Sequence, residues 1–143
     1  MLRAGAILLS LWTSLNLALA LGILFMLLVL GKNAPALLIL YGDTQATGVE
    51  PRALATVNAL AVMFNACVAA ICALSLSVIW VVLIRRAAWA FWSLAVCLLF
   101  LQAAGFASDS FLGDRNLLAN AASSLLLLSG IVLAAIGIFR VSR

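Results

Sequence analysis

Seven uncharged polar residues interrupt long apolar runs: Asn58, Asn65, Gln102, Asn116, Asn120, Ser123 and Ser124. Each amide carries two N–H donors and a carbonyl acceptor, and each hydroxyl donates once. Asn58 and Asn65 are seven residues apart, so a helix places them nearly on one face, with Ala61, Ala69 and Cys72 on the same side. Asn116, Asn120, Ser123 and Ser124 cluster on one face in the same way. Asp109 and Asp114 come shortly before that second cluster. A pocket lined by amides and rimmed by acids suits a small polar or cationic ligand, or a lipid headgroup. The ligand-binding set on this reading is Asn58, Asn65, Gln102, Asn120, Ser124, Asp109 and Asp114. The same groups have a plainer use, hydrogen bonding helix to helix. Such bonds average about 0.6 kcal/mol and reach 1–2 kcal/mol in model peptides. This second use is the commoner one in helical membrane bundles.

Other chemistries lack their residues. There is no histidine, which excludes bis-His haem, most zinc sites and Ser-His or Cys-His nucleophiles. Cys67 and Cys72 are five residues apart, about 140° around a helix, and Cys97 stands alone. They read as small packing residues, because thiols in apolar surroundings are unreactive. The acids Asp43, Glu50, Asp109 and Asp114 lack the dense spacing of an oxygen-ligand loop, so no metal site is expected. No set of nucleophile, base and orienting group is complete, so neither catalytic residues nor a cofactor are expected. The one enzymatic reading left is a lipid- or quinone-active enzyme using Asp109 or Asp114.

The elements that must position these residues follow from composition. Of 143 residues, 68% are apolar and 8% are charged. Soluble domains average roughly 45–50% and about 25%. With mean hydropathy +1.32, the chain needs lipid over most of its surface. That excludes a soluble enzyme, a nucleic-acid binder and a disordered tail. The net charge of +4 is too small and scattered for nucleic acid, and acts instead as a topology signal.

Membrane helices need about 20 mostly apolar residues. Four segments qualify, at about 5–30, 53–84, 87–106 and 117–139, giving an all-α integral membrane protein: a four-transmembrane-helix bundle in a single domain, residues 1–143. Arg3, Arg85, Arg86, Arg140 and Arg143 then share one side, against Lys32, Arg52 and Arg115 with all four acids on the other. This excess of basic residues places both termini in the cytoplasm. Trp80, Trp89 and Trp92 crowd the Arg85-Arg86 turn, where an interfacial aromatic belt belongs, and Tyr41 falls at the opposite interface. No charge falls inside a span, which argues against proton-coupled carriers and ion pumps. The compartment expected is a bacterial inner membrane, since Arg outnumbers Lys seven to one and no Asn-x-Ser/Thr sequon occurs.

The N-terminus has a competing reading as a secretory signal, with Ala18-Leu19-Ala20 as its cleavage site. The apolar run passes through that site to Leu30, far beyond the roughly 7–15 residues of a signal core, so an uncleaved helix is expected. The outer loop 31–52 holds both prolines, with Pro51 suited to a helix's first turn. The connections around Asp43–Asn58 and Asp109–Asn120 resemble each other. A duplicated hairpin explains this, and so does the preference of helix N-termini for acids.

Two stripes of small residues complete the pattern. Ser10, Ser14, Ala18 and Gly22 repeat every four residues, pointing away from Asn16, and Ser123, Gly130, Ala134 and Gly137 trace one side of the last span. Such stripes let helices approach closely. One face for the bundle and another for a neighbour suggests a homo-oligomer or a larger membrane-protein partner within the lipid bilayer. The leading expectation is therefore a non-enzymatic accessory or oligomerising subunit. The alternative is a transporter or small-ligand- or lipid-binding protein using the outer polar pocket.

Overall fold

A computed structural model of the chain describes residues 1–31, 51–111 and 117–140. They form four helices: α1 (Leu2–Leu30), α2 (Pro51–Val81), α3 (Ala88–Phe111) and α4 (Leu117–Phe139), with a 3-10 turn, Leu83–Arg85, between α2 and α3. No strand occurs among the described residues. All four helices are long and apolar enough to cross a membrane. The shortest, α4, has 23 residues, about 35 Å at 1.5 Å per residue, against roughly 30 Å of hydrocarbon.

Helix ends differ from the limits of the apolar runs, for local reasons. α1 begins at Leu2 rather than Gly5, with Arg3 exposed in its first turn. It continues unbroken through Ala18-Leu19-Ala20. α2 starts on Pro51, whose missing N–H is no loss in a first turn. It stops at Val81 rather than Ile84 because the chain tightens there. Arg85 N–H donates to Val82 O (3.1 Å) and Arg86 N–H to Leu83 O (2.9 Å). Arg86 then adopts φ 62°, a left-handed conformation costing an L-residue roughly 1–2 kcal/mol. α3 runs on past Phe106 to Phe111. The fall in hydropathy there marks the end of the apolar run, not of the backbone's helix. Residues 32–50, most of the outer loop, lie outside the described residues, as do 112–116.

The chain divides into two compact units, Met1–Leu15 with Cys72–Arg143, and Asn16–Ile71. All four helices contribute to the core of the first. Leu2, Ala6, Leu9 and Trp12 of α1 meet Ile79 and Leu83, Phe91, Leu94 and Leu98 of α3, and Leu127 and Ala134 of α4. Leu2, Gly5, Leu9 and Trp12 are three or four residues apart, so they form one face of α1. That face runs antiparallel to α4. A Cβ on Gly137 would overlap the backbone of Leu2, and one on Gly5 the backbone of Ala134. Leu9 lies against Gly130. The row Gly130, Ala134, Gly137 is thus in use for packing, as its spacing suggests. In the second unit, Leu27 packs with Ile23, Ala61 and Val62, pairing α1 with α2.

The outward surface is apolar. Phe25 (66%), Phe100 (78%) and Leu118 (88%) are among many exposed large side chains. The stripe on α1 is uncovered from Ser14 onward: Ser14 and Ala18 are exposed and, among the described residues, nothing lies within 4 Å of a Cβ built on Gly22, whereas Ser10 is half-buried with its hydroxyl shielded.

Gly5→Leu and Gly137→Leu are each expected to lower stability in mixed micelles by about 3 kcal/mol, the upper range for overpacking, because the obstacle is backbone. Gly22→Ile should change the stability of the isolated chain by less than about 0.5 kcal/mol, as a free surface site does. Equal losses at Gly22 and Gly137, read from unfolding curves, would contradict the assigned packing faces.

Candidate functional site

The polar cluster forms around Gln102, half-buried on α3. Its amide is used at both ends. Nε2 donates to Ser124 Oγ (3.0 Å) and to the Asn120 carbonyl (3.3 Å), and Oε1 accepts from Ser123 Oγ (3.1 Å). Ser123 Oγ in turn accepts from Trp12 Nε1 at 2.8 Å. Ser124 Oγ donates to the Asn120 carbonyl of its own helix at 2.8 Å. Adjacent serines on α4 thus hold opposite ends of one amide, and the indole ties α1 into the same network.

Local sequence explains the arrangement. Ser123 and Ser124 are half-buried on α4, toward Gln102 on the antiparallel α3, which packs along it. Trp12 is 1% exposed, with its N–H far from either end of α1. A buried indole N–H needs an acceptor, and Ser123 supplies it. Thr13, beside it, satisfies its own hydroxyl by donating to Leu9 O at 2.6 Å. Four bonds join different helices here, together worth roughly 2 kcal/mol at the membrane average.

Of the residues proposed to line a pocket, Gln102, Asn120 and Ser124 are therefore brought together, and their mutual hydrogen bonds draw them into packing. Asn58 and Asn65 belong to the second unit. Asn65 Nδ2 donates to the Ala61 carbonyl one turn back on its own helix (2.8 Å). Asn58 is half-buried, its Oδ1 shielded without a partner among the described residues. Asp109 lies in the last turn of α3, with its side chain outside the described part, and Asp114 lies outside the described residues. Cys72 is buried and Cys97 half-buried, whereas Cys67 is exposed on α2, and all three are free thiols.

Trp12 is the member that spacing arguments overlook. The signal was available: Trp80, Trp89 and Trp92 stand near helix ends, whereas Trp12 stands inside a long apolar run. Gly5 is likewise missed by a search for four-residue repeats, because the row that packs alternates steps of three and four.

No protein-family model matches the chain, and neither a curated protein nor a solved structure is significantly similar to it.

Gln102→Leu should cost about 2 kcal/mol, since it strips partners from both serines at once. Asn65→Leu should cost less than about 0.5 kcal/mol, because its amide is bonded only within its helix. A double-mutant cycle of Trp12→Phe with Gln102→Leu should show a coupling of at least about 0.5 kcal/mol through Ser123. Additive losses would mean that the indole and the amide act separately.

Proposed function

We propose that the chain is an integral membrane protein of four spans in a bacterial inner membrane, with both termini cytoplasmic, and that it acts as a non-enzymatic accessory or oligomerising subunit. The bonding of Gln102 to Ser123, Ser124 and the Asn120 carbonyl carries this reading. Polar groups that hold one another are spent on cohesion rather than on a ligand. The uncovered stripe Ser14, Ala18, Gly22 supports a neighbouring helix, because small residues at four-residue steps admit one at close range. The shielded Oδ1 of Asn58 favours a second reading, a small-ligand or transport role centred on α2, in which a ligand donor meets that oxygen.

The chain should stay with the membrane pellet in alkaline carbonate. Reporter fusions at either terminus should be active only in the cytoplasmic form. Gently solubilised protein should migrate on native gels above its monomer mass, and Ser14→Ile or Gly22→Ile should return it to the monomer position. A wild type already at that position, or variants that leave a complex intact, would defeat the subunit reading.

A further inference from the structure

In the first unit, where α1 begins and α4 ends, the helices enclose a cleft of about 580 Å³. Arg3, Arg86 and Arg140 line it, with Leu2, Ile84 and Gly137. Beside it, Ala135 and Phe139 form an open apolar face of α4 that shares Ile136 and Arg140 with the cleft. The shared residues join a cationic cleft to an apolar helix face in one amphipathic surface.

Arginines at helix ends have an ordinary duty, to offset C-terminal ends such as those of α2 and α4. Each such end carries only about half a negative charge, and the N-terminal ends of α1 and α3 beside them carry about as much positive charge, so the three arginines are left in excess. The one acid among the described residues, Asp109, stands in the last turn of α3, at the helix's far end. Along α3, Asp109 is about 30 Å from Ala88, several Debye lengths away at physiological salt. Position 86 adds a further point. Its φ of 62° suits glycine, yet a long cation stands there and lines the cleft.

The surroundings indicate the depth of the cleft. Trp80, Trp89 and Trp92 are all exposed near this end, and Trp92 contacts Phe139 with ring centroids 6.3 Å apart. Exposed indoles of this kind sit at headgroup level. Basic pockets between helices at that level take anionic headgroups. A free phosphate would engage the cationic cleft alone, whereas a phospholipid also covers the apolar face beside it.

We infer that the cleft and the adjoining face of α4 bind one anionic phospholipid, its phosphate held by Arg3, Arg86 and Arg140 and an acyl chain lying along Ala135 and Phe139. The inference rests on the membrane-spanning reading. The full chain, purified in a neutral detergent, should bind phosphatidylglycerol in preference to phosphatidylcholine when titrated under native mass spectrometry. Arg86→Gly and Arg140→Gln should each weaken phosphatidylglycerol binding about fivefold. Arg86→Gly relieves the left-handed backbone, so its thermal stability should equal or exceed that of the wild type, and its loss of lipid cannot be a loss of fold. Arg85→Gln removes the same charge from a residue outside the cleft lining and should bind like the wild type. Phe139→Ala should weaken the lipid as well. Equal binding of the two lipids, or an Arg85→Gln loss matching that of Arg86→Gly, would overturn the site. Displacement of the lipid by equimolar inorganic phosphate, with no effect of Phe139→Ala, would overturn the lipid as occupant. A chain released by carbonate overturns both readings, whereas one that stays in the membrane without lipid preference overturns this one alone.

Discussion

The close approach of α1 to α4 at Gly5 and Gly137 governs the first unit. Two glycines remove the Cβ atoms that would hold the backbones of Leu2 and Ala134 at ordinary helix spacing. Leu9 then reaches Gly130, and Trp12, one turn further, comes within 2.8 Å of Ser123. With Ser123 Oγ accepting from the indole, its proton is free to go to Gln102 Oε1, and the rest of that amide turns to Ser124. Dispersion and hydrogen bonding are therefore linked in series. A side chain inserted at the glycines would spread the helices and break polar contacts about two turns along α1 from Gly5 and about four along α4 from Gly137.

The second unit is held differently. Leu27 packs there with three partly buried neighbours, and Ala20, Val68 and Ala69 are buried as well. Asn65 and Thr56 bond within their own helix, to Ala61 O and Arg52 O. Bonds of that kind satisfy a group without joining one helix to another.

Much of this was legible in the sequence, but unevenly. The four helices follow from the length of the apolar runs, and their number does not depend on packing. Their ends do depend on it: the stop at Val81 comes from a local 3-10 turn and the left-handed Arg86, which hydropathy does not register. The polar cluster was legible as to residue type, since Gln102, Asn120 and Ser124 all stand in apolar runs. Which groups they bond to depends on the direction of individual N–H and O–H groups, and composition carries no direction. On α1, small residues occur on more than one side. Gly5 packs and Gly22 does not, a distinction set by the partner helix rather than by anything local.

The hydrogen bond from Trp12 to Ser123 spans 111 residues of chain. Ribosomes add about 5–20 residues per second, so α1 waits on the order of ten seconds before α4 exists to receive it. During that interval the indole N–H lacks Ser123 and the narrow face at Gly5 lacks Ala134 in the growing chain. Whatever shelters them then, a helper protein or the α4 of a finished copy, competes with the native arrangement. The order of synthesis thus gives the first and last helices a problem of timing, and makes exchange of α4 between copies a natural route of misassembly.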